Sequence, residues 1–280
     1  MYAKSAVTEG IGGVVNGDPI RRMSDFAAVL PHDGAEKSFK LTPGLLLDQR
    51  CLYGARKEAL PLKDWGDCAK ALGMPQDYLD LGRQHYPQAN YHYVGYEAGP
   101  DSCAYKFYLE FPVFTGVPQG GAGQGGQPAL MYLGLKWDAL SGAPIAVTRY
   151  VWRVHLPLPG IAEVITDLGA SGAGVMAFAA HAILGQCAKR AHPYDLVLLQ
   201  VDETGLPRQS FDLKLYAANL TLAAIAETVM EVGRRYGIDQ RALQGLLQAA
   251  AKRPLGHISG GIDRRGREFF TVYYEVQGRG

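Results

Sequence analysis

The sequence predicts a mixed α+β protein in which about ten antiparallel strands close into a single barrel ringed by helices. Two observations predict this fold class. From residue 62 onward the elements follow the order of two helices and two strands, one strand pair, and then two more ααββ units. Strands joined by short turns pair antiparallel, and the helix pairs between them cover the outside of the sheet. A doubly wound sheet is excluded because single strands do not alternate with single helices.

The elements of the first half are indicated by turn residues and hydrophobic periodicity. Residues 1–17 are expected to form a flexible leader, since they lack the apolar core of a signal peptide, and residues 18–280 to form one domain. Asp18 and Pro19 suit the start of a helix. The expected elements are a helix over 18–30, one or two strands within 37–59, two helices within 62–84, and a hairpin of strands 90–97 and 103–113.

The second half repeats the alternation of helix pairs and hairpins. Its helices show one apolar face at helical spacing, and turns rich in glycine separate its strands. The expected elements are a hairpin of strands 130–139 and 145–154, helices 158–168 and 175–190, strands 194–203 and 209–217, helices 221–236 and 239–251, and a last hairpin of strands 255–262 and 267–276.

A glycine-rich segment, GVPQGGAGQGGQ, occupies residues 116–127. It has too few apolar side chains to offset the entropy of ordering. A surface insertion and a lid over a pocket both fit this composition. It is not a nucleotide-binding loop, because it precedes a strand rather than a helix and no lysine follows it.

The overall composition excludes several classes of function. The net charge of +1 gives no global basic footprint for nucleic acid, and no apolar run approaches the ~18 residues that span a bilayer. The four cysteines are scattered without a CxxC pair, which favours reduced thiols of a cytoplasmic protein over a disulfide framework or a zinc site. No heptad pattern argues for assembly, so we expect a monomer.

Three short strands share a pattern of polar side chains two residues apart. They read Lys106-Phe-Tyr108, Lys214-Leu-Tyr216 and Thr271-Val-Tyr273. Residues i and i+2 of a strand face the same side, so each triplet puts two hydrogen-bonding groups on one face. Rows of Lys and Tyr inside a barrel can hold a diphosphate. The alternative is that these are amphipathic strands whose polar faces meet water.

Four stretches follow one another in the order of a known family. LLLDQRCL places Asp48 three residues before Cys51, where the family has an acidic residue before a cysteine. DSCAYKFYLEF matches a strand with Lys-x-His, SFDLKLYAAN a strand with Tyr-x-His before an Asn, and REFFTVYYEV a closing strand with a run of tyrosines. Over residues 37–277 the chain thereby resembles the ABBA prenyltransferases, and among them the cyanobactin prenyltransferases, which alkylate ribosomal peptides. The resemblance implies the barrel that the element order predicts.

The chain also departs from that family pattern. The family's acidic residue is usually Glu, whereas position 48 is Asp, and two family histidines are replaced by Tyr108 and Tyr216. These changes bear on the identity of the acceptor more than on the type of reaction.

The resemblance implies that an allylic diphosphate ionises and that a nucleophilic side chain attacks the resulting cation. Asp48 would orient the acceptor and take its proton, with a solvated strand-end carboxylate as the alternative. Mg²⁺ would be bound through the diphosphate rather than by a dedicated set of protein ligands. The residues expected to bind the diphosphate are Arg56, Lys106, Lys136, Lys214, Tyr108, Tyr216 and Tyr273.

Alternation along the strands adds candidate pocket residues. Tyr132 shares a face with Lys136 and Asp138, so a salt bridge between the last two is an alternative role for Lys136. His257 and Ser259 share a face of the next-to-last strand, although a lone histidine there also suits simple packing. The expected pocket residues are Tyr132, Thr271, His257 and Ser259.

The function implied by the resemblance is prenylation of a ribosomally made, cyclic peptide on a Tyr, Trp, Arg, His, Ser or Thr side chain, with a dimethylallyl or geranyl diphosphate as donor. Two alternatives stay open. One keeps the reaction and moves it to a free indole or phenol. The other is a non-catalytic barrel that binds a hydrophobic ligand, which requires an apolar interior.

Overall fold

An antiparallel barrel forms the centre of the computed structural model, which describes residues 18–100, 102–112 and 128–277. The strands are β1 (Gly34–Thr42), β2 (Leu45–Leu47), β3 (Arg50–Arg56), β4 (Tyr91–Gly99), β5 (Ser102–Glu110), β6 (Ala129–Asp138), β7 (Pro144–Trp152), β8 (Val197–Glu203), β9 (Leu206–Lys214), β10 (Leu255–Ile262) and β11 (Glu268–Gln277). Their order in the sheet is β11-β10-β9-β8-β7-β6-β5-β4-β3-β1-β2, and an additional pairing of β11 with β1 closes the ring.

The ring closes where the first strand meets the last. Along this seam Ser38 lies opposite Tyr273, and Lys40 lies opposite Thr271. On its other edge β1 pairs with β3 over one half and with the short β2 over the other half. Ten strands therefore make the ring and β2 extends its edge, which confirms the expected closed antiparallel barrel.

Helices cover the outside of the barrel on two sides, as the ααββ order predicts. The helices are α1 (Pro19–Val29), α2 (Leu62–Ala71), α3 (Gln76–His85), α4 (Leu158–Ala170), α5 (Gly174–Cys187), α6 (Leu222–Arg235) and α7 (Gln240–Ala249). Helices α1 to α3 pack over β4 to β6, and helices α4 to α7 pack over the side that carries β9 to β11 and β1.

Local sequence explains how these helices begin and pack. Asp18 accepts a hydrogen bond from the backbone N–H of Ile20, and Asp239 accepts two at the start of α7. Gly82 lets α3 approach α2, because a Cβ at that position would lie 2.3 Å from the ring of the buried Trp65.

Alternation along the strands puts apolar side chains outward and polar side chains inward. On β1, Phe39 and Leu41 are fully buried beneath the helices, whereas Glu36, Ser38 and Lys40 line the barrel lumen. The hydrophobic core therefore lies between barrel and helices. The interior is left as a polar lumen, which confirms that the Lys and Tyr rows face inward.

The structure corrects an expected strand end that bears on the Lys and Tyr rows. Strand β9 ends at Lys214, and residues Tyr216–Ala218 form a 3₁₀ turn that ends at Asn219 in the left-handed region with φ of 46°. The third residue of the Lys214-Leu-Tyr216 triplet therefore leaves the strand. The leader at 1–17 and the glycine-rich segment at 116–127 lie outside the described residues.

Two further expectations concern the whole chain. All four cysteines are free thiols, and two of them, Cys68 and Cys187, are buried. Among the described residues, none of the helices combines the length and the apolar character that crossing a membrane requires.

Replacing Phe39 by alanine tests the core between barrel and helices. Its ring is completely buried, so we expect Phe39→Ala to lower the free energy of unfolding by about 3–5 kcal/mol. Chemical denaturation followed by circular dichroism measures the loss. Lys37→Ala, an exposed position on the same strand, is the control and should cost less than ~0.5 kcal/mol. Equal costs for the two variants would contradict this placement of the core.

Candidate active site in the barrel lumen

The lumen contains two adjoining compartments. The helix-end compartment lies where the strands connect to helices, and the hairpin-end compartment lies where they connect by short turns. They enclose roughly 720 Å³ and 1280 Å³, including space that opens to solvent. Six residues line both compartments and form a waist between them: Arg50, Lys106, Tyr108, Tyr150, Asp212 and Tyr273.

A cation cluster surrounds one carboxylate at the hairpin side of the waist. Arg50 Nη1 lies 2.6 Å from Glu97 Oε2, Lys106 Nζ contacts the same oxygen, and Lys136 Nζ contacts Oε1. We call Arg50, Lys106 and Lys136 the cation cluster. Burial raises the pKa of Glu97, but the charges of the cluster outweigh it and hold that pKa well below its ordinary value. Three cations around one anion leave a surplus of positive charge.

Two lysines of the lumen are easier to deprotonate than usual. Burial lowers the pKa of Lys40 to about 7, Arg50 and Lys136 add to this, and Glu97 and Asp263 oppose it. Burial also lowers the pKa of Lys106, with a further contribution from Arg50. An anion that entered the lumen would favour the charged form of both lysines.

Tyrosine rings form a wall from the waist into the helix-end compartment. The ring centres of Tyr108 and Tyr150 are 5.9 Å apart, those of Tyr150 and Tyr132 are 6.0 Å apart, and those of Tyr132 and Tyr93 are 6.1 Å apart. Gly134 makes room for this wall, because a Cβ there would lie 2.8 Å from the Tyr108 ring. Burial raises the pKa of Tyr108, so its hydroxyl stays a neutral donor.

A carboxylate–imidazole–carboxylate chain lies on the opposite side of the helix-end compartment. His257 Nδ1 is 2.7 Å from Asp212 Oδ2, and its Nε2 is 3.4 Å from Glu36 Oε2. The Tyr216 hydroxyl donates to Glu36 Oε1 at 2.6 Å, and the His257 ring stacks on Tyr273 with centres 3.8 Å apart. Side chains of β1, β9 and β11 thus converge on the imidazole of His257 on β10.

This chain of hydrogen bonds fixes the charges of its members. Burial lowers the pKa of His257, but the charge and hydrogen bond of Asp212, aided by Glu36, raise it to about 9. Burial raises the pKa of Glu36, but His257, Tyr216 and Lys214 bring it to about 2. At neutral pH His257 is therefore an imidazolium and Glu36 a carboxylate.

Most of the predicted site residues reach the lumen. Lys214 Nζ donates to the Tyr132 hydroxyl and lies 4.4 Å from that ring's centre. Lys136 pairs with Glu97 rather than with Asp138, which instead accepts hydrogen bonds from the turn that follows β6. The predicted residues that line a compartment are Lys106, Lys136, Lys214, Tyr108, Tyr132, Tyr216, Tyr273, Thr271, His257 and Ser259.

Two predicted residues do not come to the site. Asp48 is exposed in the two-residue link between β2 and β3 and lines neither compartment. Arg56 is exposed at the end of β3, where its Nε lies 3.3 Å from Asp33 Oδ2. In the lumen, β3 contributes the cation Arg50 and β1 contributes the carboxylate Glu36. Asp48 and Arg56 were chosen from the family resemblance, and the structure places neither of them in the two compartments.

Sequence reasoning also missed several lumen residues. They are Glu36, Arg50, Glu97, Asp212, Tyr93 and Tyr150. A signal for the first was present, since GAEKSFKLT alternates polar residues with Phe39 and Leu41, but the expected strand began one residue too late to include Glu36. Glu97 had no such signal, because its role depends on cations from three other strands.

The comparisons with known proteins show the fold. No protein-family model matches the sequence, and no curated protein sequence does. Among solved structures, the chain is similar to 6-dimethylallyltryptophan synthase from Micromonospora olivasterospora in complex with DMASPP and Trp, with a TM-score of 0.54 and 15% identity over 86% of this chain and 81% of that one. It is also similar to NotF in complex with brevianamide F and DMSPP, with a TM-score of 0.51 and 16% identity over 87% and 80% of the two chains. The chain has the fold of the ABBA prenyltransferases.

Proposed function

We propose that the chain transfers an isoprenyl group, dimethylallyl or geranyl, from its diphosphate to a nucleophilic acceptor. The observation that carries this proposal is that a cluster of cations and an ionised carboxylate lie in different compartments of one lumen. The cation cluster faces the hairpin end, Glu36 faces the helix end, and a wall of tyrosines connects them. An ABBA barrel whose lumen is divided in this way suits a diphosphate on one side and an acceptor on the other.

The cation cluster supplies what ionisation of an allylic diphosphate needs. As the bond from C1 to the diphosphate oxygen breaks, the electron pair stays on the diphosphate, and Arg50, Lys106 and Lys136 stabilise that charge. The hydroxyls of Tyr108 and Tyr273 donate to the same group. Because the cluster is already fixed by the strands, little reorganisation accompanies bond breaking.

The tyrosine wall protects the allyl cation. Aromatic faces stabilise a nearby positive charge, and the rings of Tyr93, Tyr108, Tyr132 and Tyr150 surround the space between the cation cluster and Glu36. They also exclude water, which would otherwise capture the cation as an alcohol. A lumen with these charges and hydroxyls does not suit a purely apolar ligand, so the binding-protein alternative loses its support.

Glu36 takes the role that the sequence prediction gave to Asp48. Its carboxylate is ionised beside His257 and can accept a hydrogen bond from an acceptor N–H or O–H. When the acceptor forms its bond to C1, the proton that it loses passes to Glu36. The low pKa of Glu36 makes it a weak base, which is sufficient because an acceptor that has bonded to a cation is strongly acidic.

The acceptor that we propose first is a side chain of a ribosomally made peptide, as the resemblance to cyanobactin prenyltransferases implies. A free indole is the second candidate, and its support is that the similar structures were solved with Trp and with brevianamide F. Both acceptors present an N–H or O–H that a buried carboxylate can orient.

Mg²⁺ remains part of the proposal only as an ion carried by the diphosphate. Within the described ranges, no three His, Cys, Asp or Glu side chains group in a way that would hold a metal ion. We further propose a monomer in the cytoplasm, since one chain completes the lumen and all four thiols are free.

Transfer is tested with dimethylallyl or geranyl diphosphate, Mg²⁺, and a pool of linear and cyclic peptides together with free tryptophan. Mass spectrometry detects the added isoprenyl unit, and fragmentation locates it. Replacing Glu36 by glutamine should reduce transfer at least ~100-fold, because the proton acceptor is lost, while binding of the diphosphate is kept. Asp48→Asn is the matched control and should transfer at the wild-type rate. Equal loss in both variants, or loss only in Asp48→Asn, would overturn the assignment.

Diphosphate affinity tests the cation cluster separately from the chemistry. Lys106→Met should weaken binding of inorganic pyrophosphate about tenfold or more, since it removes one of three converging charges, and titration calorimetry measures the change. Arg56→Met also removes one positive charge but lies outside the lumen, so its affinity should stay within about twofold of wild type. An equal effect of the two substitutions would show that the anion does not bind at the cluster.

The protonation of His257 tests the hydrogen-bond chain around Glu36. By NMR its pKa should be about 9 in the wild type, and Asp212→Asn should bring it down toward 6.5. A raised pKa means that the folded state holds the proton more tightly than the unfolded chain. The resulting stability is therefore fully present below about pH 6.5 and is lost as pH rises through about 9. A pKa of about 6.5 for His257 in the wild type would contradict the hydrogen bonds that we assign between this imidazole and its two carboxylates.

A further inference from the structure

Glu97 lies where an anionic ligand of the cation cluster would bind. It stands directly across from Arg50 on the neighbouring strand, and Lys106 and Lys136 face each other on the next two strands. Both carboxylate oxygens are engaged, one with Lys136 and the other with Arg50 and Lys106. A carboxylate and a phosphate accept the same hydrogen bonds from these groups. The cluster cannot give its full set of contacts to Glu97 and to a diphosphate together.

Glu97 differs from the other buried acids of the lumen in how it is held. In the described part of the chain, its ion pairs are all with the cation cluster. Asp212, by contrast, is held by His257, and Glu203 by Arg264 of the last turn. The Glu97 side chain keeps 17% of its surface exposed and borders the larger compartment, which is the space into which it would turn.

We propose that Glu97 is a displaceable internal counterion of the barrel. It occupies the anion site when no ligand is bound, gives way to the diphosphate of the donor, and returns to the cluster as pyrophosphate leaves. The inference rests on the proposed function, since it deepens the role of the same site. Its consequence is that Glu97 lowers the affinity of the cluster for both the donor and the pyrophosphate product.

The displacement has a simple electrostatic basis. Lys106 and Lys136 are directly opposed like charges, which repel unless an anion lies between them. Glu97 supplies that anion with one negative charge, whereas a diphosphate supplies two to three. The ligand therefore replaces Glu97 on binding. After transfer the same carboxylate competes with pyrophosphate and speeds its departure.

The test measures binding of inorganic pyrophosphate by titration calorimetry to the wild type, Glu97→Gln and Glu110→Gln. Glutamine keeps the shape of Glu97 and removes its charge, so we expect about tenfold or tighter binding. Glu110 lies at the far end of β5 and is outside both compartments, so its substitution controls for the change in net charge and should leave affinity within about twofold. Unchanged or weaker binding in Glu97→Gln would overturn the proposal.

A second pair of variants covers the case in which Glu97→Gln is unstable because the cations around it have lost their counterion. In Lys136→Met one lumen cation is already absent, so adding Glu97→Gln returns the net charge of the lumen to that of the wild type. The double variant should bind pyrophosphate more tightly than Lys136→Met alone. No gain in this pair also overturns the proposal. A wild type that binds no pyrophosphate at all would instead refute the diphosphate site itself, so the two failures are distinct.

Discussion

The pairing of β1 with β11 is the constraint on which the lumen depends. It brings the first and last strands of the ring together in one register, with Ser38 opposite Tyr273. Glu36 of β1 reaches His257 of β10 only because this seam is closed. Without closure the inward faces would be two edges of an open polar sheet, and no carboxylate would meet the imidazole. The closed strand topology therefore determines which side chains meet in the lumen.

Burying so many charges is possible because each is opposed by another. The helices cover the apolar outer face of the barrel, and this burial stabilises a ring whose inner face is polar. Inside, His257 lies between two carboxylates, and Glu97 lies among three cations. Such arrangements cost desolvation, but they leave charged groups fixed in place before a substrate arrives. A fixed polar lumen is what a reaction through a short-lived cation requires.

The sequence predicted the closed barrel and the inward rows of Lys and Tyr because both follow from local patterns. Hairpin turns, helix pairs and alternation are readable within a few residues, and they gave the element order and the face of Lys106 and Tyr108 correctly. Strand ends are less local. The prediction began the first strand after Glu36 and so left that residue out, whereas Asp48 and Arg56 were taken from the family resemblance and lie outside the two compartments. Glu97 could not be found at all, since its contacts with the three cations depend on the register of neighbouring strands.

A structure with the unreactive dimethylallyl S-thiolodiphosphate tests the central claim most directly. We predict that the diphosphate lies within hydrogen-bond distance of Arg50, Lys106 and Lys136, that Glu97 has turned away, and that the isoprenyl chain extends between the tyrosines toward Glu36. An analogue bound outside the lumen, or one whose isoprenyl chain points to the hairpin end, would contradict the account.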